Sequence, residues 1–268
     1  MAKKKVTKTK IAENLGVSRQ SLYYQSKQNP KDEQLKTAIL ELLSVHKSYG
    51  YRRVALALRV NKKRAQRLMH KFKIHPYKRK MRWKKRLDQR REPMPYENLI
   101  KGWFPIKPGI VYASDFTYLP YQGKFIYLAT LMDIYTREIV GWEISQRHDK
   151  DLVLNALING LYNRGFILPK IIHSDQGSEY CAKECLTFLN YFGIRISMSK
   201  KSSPWENGYQ ESFYSGFKTD LGLEFDRFEN LGEFIEGIHQ TINYYNKERI
   251  HTSLKMPPSV YAKLHKSV

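Results

Sequence analysis

Three acidic residues in similar local settings dominate the second half of the chain. Asp115 lies in VYASDFTYLP, Asp175 in KIIHSDQGSEY and Glu211 in SPWENGYQESFYSGFK. In each setting an apolar run precedes the carboxylate, which stands beside a turn or a helix. The first two acids are separated by 59 residues and the last two by 35. A single Asp at a strand end is usually a turn or capping residue, but three such settings together predict one shared site.

Such a set of carboxylates suits chemistry at phosphorus. Two hard divalent cations about 3.5–4 Å apart hold both the attacking and the leaving oxygen of a phosphodiester. Mg²⁺ prefers oxygen ligands and takes few of them from protein. Two strand ends and one helix therefore supply enough ligands. We predict that Asp115, Asp175 and Glu211 are catalytic residues that bind two Mg²⁺ ions, with Mn²⁺ as a possible substitute.

The motifs around these acids resemble those of insertion-sequence transposases of the OrfB type, whose core is similar to retroviral integrases. The matching segments are SDFTY at 114–118, HSDQGSEY at 173–180 and PWENGYQESF at 204–213, together with the 35-residue gap and Lys218. The family usually has a GNPYDNA-like run before its glutamate, whereas this chain has Ser202 to Gly208 as SSPWENG. That difference concerns the loop conformation rather than the carboxylate.

The positive charge is confined to the first third of the chain. Residues 1–92 hold 28 Lys and Arg against 6 Asp and Glu, whereas residues 93–268 hold 19 of each. A basic run is often only a solvated face. An excess this large and this localised instead predicts a polyanionic partner, and we expect double-stranded DNA.

Residues 1–28 are predicted to be a helix-turn-helix module. Ala12, Leu15, Val17 and Leu22 are its apolar positions, and Gly16 occupies the turn. Ser18 is a good N-cap for a second helix over 18–25, which would present Arg19, Gln20 and Tyr23 to DNA. A plain pair of antiparallel helices without DNA-binding function is the alternative.

Residues 29–75 are predicted to be a second helical DNA-binding module. A break at 28–32, in which Asp32 is a candidate cap, precedes a helix with apolar residues at helical spacing. A short helix with Val54 follows. Asn61 then caps a further helix, whose apolar face includes Leu68. We expect the basic side chains on these helices to contact phosphates more than bases.

Residues 76–105 are predicted to be a basic arm and linker, which is either helical or extended and either tracks a DNA backbone or enters a minor groove. All predicted DNA contacts are polar or basic residues of these segments and of the region around Glu211. They are Ser18, Arg19, Gln20, Tyr23, Arg52, Arg53, Lys62, Lys63, Arg64, Arg67, Lys78, Arg79, Arg82, Lys84, Lys85, Lys200, Lys201 and Lys218. For Lys218 the alternative is a solvated lysine.

Residues 106–222 are predicted to form the catalytic core. The spacing of apolar residues changes to the alternation that is typical of strands, which we predict at 111–118, 125–133 and 138–145. A helix capped by Asp149 follows. After it we predict a strand at 169–173, a helix at 182–192 and a strand at 194–198. The resemblance implies an α/β ribonuclease-H-like fold with a mixed five-stranded sheet, in which Asp115 and Asp175 meet at adjacent strand ends. The chain is therefore predicted to be multidomain, with all-α modules before this core.

Residues 223–268 are predicted to be a helical C-terminal extension with a helix at 231–247. Its apolar stripe is expected to pack on the core. Arg249 and His251 follow this helix, and for both a DNA contact and a structural role remain open. The polar segment 200–205 before the Glu211 helix indicates that the position of Glu211 depends on metal or DNA.

The resemblance implies a DNA transposase that binds the terminal repeats of an insertion sequence and catalyses strand cleavage and strand transfer. It also implies a homo-oligomer on DNA, and the product of an upstream reading frame is a possible partner. A non-catalytic DNA-binding regulator and a ribonuclease-H-like nuclease are the alternatives, because fold alone does not give function. The sequence has no membrane-length apolar run, and we expect a cytoplasmic, nucleoid-associated bacterial protein.

Overall fold

The computed structural model describes residues 7–23, 28–78, 96–200, 204–222 and 224–265. The described residues before position 79 are mainly helical. Its helices are α1 (Lys8–Asn14), α2 (Gln28–Val45), α3 (Tyr51–Ala57) and α4 (Lys62–Lys71). Asn61 caps α4 as predicted, because its side chain accepts a hydrogen bond from the Lys63 amide. The apolar faces of α2, α3 and α4 enclose a small core that contains Ile39, Val54 and Leu68.

The second helix of the predicted helix-turn-helix differs from the expectation. Residues Arg19–Tyr23 form a five-residue 3-10 helix instead of an α-helix over 18–25, and residues 24–27 lie outside the described part of the chain. None of the residues Arg19–Tyr23 is buried, so burial of an apolar face does not favour the α-helical period over this turn. Ser18 still caps the turn, since its Oγ accepts a hydrogen bond from the Ser21 amide.

The predicted break at 28–32 is wrong, because α2 begins at Gln28. Pro30 falls in the first turn of the helix, where a missing N–H is tolerated. Asp32 is not a cap. Its carboxylate is 1% exposed and accepts hydrogen bonds from Arg67, at 2.7 and 3.0 Å, and from Lys71 at 3.2 Å. This ion pair ties α2 to α4.

A mixed five-stranded sheet follows, as predicted. Its strands are β1 (Val111–Tyr121), β2 (Lys124–Asp133), β3 (Ile139–Ser145), β4 (Ile171–Ser174) and β5 (Arg195–Met198), in the order β3-β2-β1-β4-β5. The first three strands form an antiparallel meander, and β4 and β5 join it in parallel. The predicted turn at Gly123 is present, with φ of 45° at Gln122 and 75° at Gly123, as a tight hairpin requires.

Helices cover both faces of the sheet. They are α5 (Lys150–Asn163), α6 (Lys183–Tyr191), α7 (Gly208–Leu221), α8 (Leu231–Lys247) and α9 (Pro258–Leu264). Alternate residues of β2 divide between the faces. Leu131 packs with α5 and α6, whereas Leu128 and Met132 pack with α7 and α8. The predicted cap of α5 is confirmed by a hydrogen bond from the Leu152 amide to Asp149, and α8 has the predicted bounds.

The turn after α2 and the start of α3 contact the C-terminal part of the chain. The Ile250 amide donates to Tyr49 Oη at 2.8 Å, and Arg53 Nε donates to the Ile250 carbonyl at 2.9 Å. The His46 Nδ1 and Tyr244 Oη atoms also lie 2.8 Å apart. No helix among the described residues is long and apolar enough to cross a membrane.

Candidate active site

Two of the three predicted catalytic acids lie on neighbouring parallel strands. Ala113 of β1 pairs with His173 of β4, and the same register continued by two residues places Asp115 opposite Asp175. Asp175 directly follows the end of β4, as predicted. Asp115 is not at a strand end, because β1 continues to Tyr121 in its hairpin with β2. Asp115 therefore stands where β1 loses its pairing with β4 and keeps its pairing with β2.

The third acid, Glu211, lies in the first turn of α7. Polar side chains that were not predicted as site residues join this helix to β1 by hydrogen bonds. Tyr214 Oη donates to the Asp115 carbonyl at 2.6 Å, and Gln210 Nε2 donates to the Ala113 carbonyl at 2.7 Å. Asn207 donates to the Ser114 carbonyl at 3.4 Å. These buried bonds set the position of α7 along the strand that carries Asp115.

The signal for this interface was present in the sequence. Asn207, Gln210 and Tyr214 recur at helical spacing. Polar side chains on a helix that also carries Phe213 and Phe217 are expected to be buried with them and to find hydrogen-bond partners there. Gln210 is fully buried and also accepts a hydrogen bond from Thr130 Oγ1 at 3.0 Å.

The electrostatics of the site link all three acids. Burial, together with the negative charges of Asp175 and Glu211, raises the pKa of Asp115 to about 8, although the hydrogen bond from the Phe116 amide and the positive charge of Lys218 lower it. Burial also raises the pKa of Asp175, with Glu179 adding to the effect. Two carboxylates whose charges raise the pKa of Asp115 are close enough to repel its charged form, and a bound cation would relieve that repulsion.

The donor set fits a hard cation. Carboxylate oxygens on β1, after β4 and on α7 are ligands that Mg²⁺ accepts, and one or two of them suffice when water and phosphate oxygens complete the shell. In the part of the chain that the structure describes, however, no three His, Cys, Asp or Glu side chains lie close enough together to hold one ion. The three acids thus interact through their charges without forming a complete three-residue metal site.

A second layer of residues surrounds Asp175. The Gly177 amide donates to Asp175 Oδ1 at 3.0 Å. A Cβ at Gly177 would lie 2.8 Å from Glu179 Oε2 and 3.1 Å from Asp175 Oδ1, so a glycine is needed for the two carboxylates to flank this turn. His148 Nε2 lies 3.1 Å from Glu179 Oε1. Neither His148 nor Glu179 is predicted from the sequence, because a pairing over 31 positions has no local signal.

Lys218 lies on the same side of α7 as Glu211, two turns further on. Its Nζ donates to the Tyr118 carbonyl at 2.9 Å and stands 5.1 Å from the centre of the Tyr118 ring. Its charge lowers the pKa of Asp115, against the larger effect of burial. Lys218 therefore belongs to the electrostatic surroundings of the acids.

The predicted DNA contacts are spread over the surface. The side chains of Ser18, Arg19, Gln20, Tyr23, Arg52, Lys62, Lys63, Arg67, Lys78 and Lys200 are exposed. Some of these residues also bind within the chain, since Arg67 pairs with Asp32 and Arg64 donates to the Lys31 carbonyl. Arg53 is half-buried against the C-terminal segment. Arg79, Arg82, Lys84, Lys85 and Lys201 lie outside the described residues.

Comparison with known proteins decides the family. Models of the integrase core domain match residues 105–204 and 192–258. The transposase for insertion sequence element IS904 of Lactococcus lactis is 32% identical over 238 residues, which cover 85% of this chain and 93% of the relative. The chain belongs to the insertion-sequence transposases. An uncharacterised 31 kDa protein of insertion element IS600 from Shigella sonnei is 31% identical over 89% of this chain and 92% of its own length.

This transposase also shares its fold with retroviral integrases. The catalytic core domain of the HTLV-2 integrase, solved in complex with magnesium, superposes with a TM-score of 0.50 at 15% identity, over 59% of this chain and 98% of that one. An intasome of simian T-cell lymphotropic virus gives a TM-score of 0.55 at 17% identity, over 86% of this chain and 75% of that one. The predicted integrase-like core with its mixed five-stranded sheet is thereby confirmed.

Proposed function

We propose that this transposase cleaves and joins DNA strands at the ends of its insertion sequence, with Asp115, Asp175 and Glu211 as metal-binding catalytic residues. The observation that supports this assignment is the electrostatic coupling of three acids that are distant in sequence and brought together by β1, β4 and α7. Two bound Mg²⁺ ions would supply Lewis-acid stabilisation of the attacking and leaving oxygens.

The residues of the chain have distinct roles in this proposal. Asp115 and Asp175 hold the metal-binding edge of the sheet, and α7 brings Glu211 towards them through its docking on β1. Lys218 neutralises part of the negative charge and is placed to contact a DNA phosphate. Water and a DNA 3′-hydroxyl attack phosphorus in the same in-line geometry, so one site serves both cleavage and strand transfer.

We further propose that the helical segments at 1–28 and 29–75 and the basic arm at 76–105 bind the terminal repeats. The supporting observation is the charge of the first 92 residues, together with exposed Lys62 and Lys63 at the start of α4. Residues 106–222 would act as the catalytic core and 223–268 as an extension packed on it. The transposase would work as a homo-oligomer on nucleoid DNA, with an upstream reading-frame product as a possible partner.

The test uses duplexes from the DNA that flanks this reading frame. Asp115→Asn, Asp175→Asn and Glu211→Gln should each abolish Mg²⁺-dependent cleavage and joining on a denaturing gel, while retaining duplex binding in a mobility-shift assay. The matched control is Asp151→Asn, which removes an exposed carboxylate in the first turn of α5 and should leave cleavage intact. Undiminished cleavage by any of the three variants would reject its assignment.

A further inference from the structure

A cleft lies against a different face of α7 from the one that carries Glu211. Its volume is about 840 Å³, and its walls come from α3, the segment before β1, the end of β2 with the β2–β3 turn, α7 with the segment before it, and the end of α8 with the chain that follows. Ligand sites commonly have volumes of about 300–1,000 Å³. The cleft therefore has room for one or two nucleotides, but it is too small for a DNA duplex.

The cleft is strongly cationic. Arg53, Lys101, Arg137 and Arg249 line it, against the single acidic side chain of Glu206. Glu206 is already bonded, since its Oε2 accepts from Asn98 Nδ2 at 3.0 Å and from the Lys200 amide at 2.8 Å. The surplus of positive charge predicts an anionic ligand.

The arginines differ in whether their charge is already paired. Arg249 forms an ion pair with Asp220, and both side chains are more than nine-tenths buried. Gly216 allows this arrangement, because a Cβ there would lie 3.0 Å from Arg249 Nη2. The described residues show no ion pair for Arg137. Its Nη1 is buried and has no hydrogen-bond partner among them. A buried donor without an acceptor costs free energy, which a phosphate oxygen in the cleft would recover once the guanidinium turns towards it.

The backbone around Arg137 holds this side chain in the cleft. Arg137 lies in the β2–β3 turn with φ of 63°, a left-handed conformation that non-glycine residues rarely adopt. Tyr245 Oη donates to the Arg137 carbonyl at 3.0 Å, and the Arg137 amide donates to the Asp133 carbonyl at 2.8 Å. Strained residues that are fixed in this way concentrate at functional sites.

Aromatic rings accompany the charge. The Arg137 guanidinium lies 3.8 Å from the centre of the Tyr209 ring and 5.3 Å from that of Phe104. Trp103 and Phe104 are 45% and 43% exposed, although large apolar side chains are normally covered. In a duplex the bases stack on one another, so aromatic side chains in a concave site bind unpaired nucleotides instead.

We propose that this cleft binds an unpaired nucleotide of a DNA strand. Arg137, supported by Arg53 and Lys101, takes the phosphate, and the exposed rings of Trp103 and Phe104 stack on the base. This site rests on the proposed function, because a DNA strand must be present. It adds a strand-holding site outside the three catalytic acids, suited to a strand end that has left the duplex.

The experiment compares two duplexes of the same sequence, one blunt and one with a three-nucleotide single-stranded overhang, by fluorescence anisotropy in EDTA. The wild-type transposase should bind the overhang duplex about tenfold more tightly, as the stacking of one base predicts. Arg137→Gln and Tyr209→Leu should each reduce this preference to about twofold or less and leave the affinity for the blunt duplex unchanged. The control Arg195→Gln removes an exposed charge at the start of β5 and should keep the full preference.

A second measurement avoids any change to the protein. 5-Iodouracil in the overhang should crosslink on irradiation to peptides that contain residues 98–104 or 204–216 of the wild-type chain. Equal binding of both duplexes by the wild type, an unchanged preference in the variants, or crosslinks confined to other peptides would overturn the proposal. If any of those results is found while the wild type shows normal Mg²⁺-dependent cleavage, only the nucleotide site in the cleft is rejected. If the wild type neither cleaves nor binds DNA, the proposed function is rejected as well.

Discussion

Gln210 provides a direct test of how the Glu211 helix is held. Its side chain is fully buried between α7 and the sheet. It donates to the carbonyls of Ala113 and Thr130, at 2.7 and 3.3 Å, and accepts from Thr130 Oγ1 at 3.0 Å. The substitution Gln210→Leu keeps the size of the side chain and removes all three hydrogen bonds.

The expected cost follows from these contacts. A hydrogen bond contributes about 0.5–1.5 kcal/mol net, and a buried group left without its partner costs about 1–3 kcal/mol. Thr130 Oγ1 retains a partner in Tyr214 Oη at 2.8 Å, and the two carbonyls lose one donor each. We therefore expect Gln210→Leu to lower the free energy of unfolding by about 2–4 kcal/mol. Because α7 loses its fixed position on β1, the rate of strand cleavage should also fall at temperatures where the variant is folded.

Urea unfolding followed by circular dichroism measures the first effect, and single-turnover cleavage measures the second. The control is Gln240→Leu, the same substitution on the exposed side of α8, where the Gln240 side chain donates to Glu236 one turn before it. That variant should stay within about 0.5 kcal/mol of the wild type and cleave normally. If Gln210→Leu unfolds and cleaves like the control, the docking of α7 by Gln210 is wrong.

Three further changes test other parts of the structure. Asp32→Asn should lower the free energy of unfolding of the helical region by about 1–3 kcal/mol. The expected loss is smaller than for a fully buried ion pair, because the side chains of both cationic partners are more than 40% exposed. Unchanged urea unfolding would contradict this. Burial lowers the pKa of His251 from 6.5 to about 4. As the pH drops from 6.5 to 4, the unfolded chain therefore binds a proton before the folded chain does, and the free energy of unfolding falls by at most about 3 kcal/mol. In melting experiments across this pH range, His251→Gln should reduce that fall. A Cβ on Gly141 would lie 2.4 Å from the backbone of α5, whereas a Cβ on Gly160 would meet mainly a Leu131 methyl group. Gly141→Ala should therefore lower the free energy of unfolding by about 3 kcal/mol or more, and Gly160→Ala by about 1 kcal/mol or less. Equal losses of stability in denaturant unfolding would refute this packing.

The sequence predicted those parts of the fold that depend on local patterns. The meander, the cap of α5 by Asp149 and the bounds of α8 follow from periodicity and capping chemistry, which act over a few residues. The break at 28–32 was predicted wrongly because Pro30 was taken as a helix breaker, although the first turn of a helix tolerates it. The partners of Asp32 lie 35 and 39 positions away, where no local pattern reports them.

The candidate site shows the same division. The three acids were identifiable because their motifs and spacing are encoded along the chain. The position of Asp115 in the middle of β1 could not be predicted, because it depends on how far the hairpin with β2 extends beyond the pairing with β4. The cleft around Arg137 is assembled from five segments that are distant in the sequence, so the role of its residues is visible only after folding.

We propose above that Asp115, Asp175 and Glu211 converge on divalent metal ions beside DNA. The most direct measurement is anomalous diffraction from Mn²⁺ in crystals of the transposase bound to the DNA of its element end. We expect manganese peaks at the edge where β1 and β4 separate, with all three carboxylates among the ligands. Peaks elsewhere, or any one of the three side chains turned away from the metal, would contradict the account.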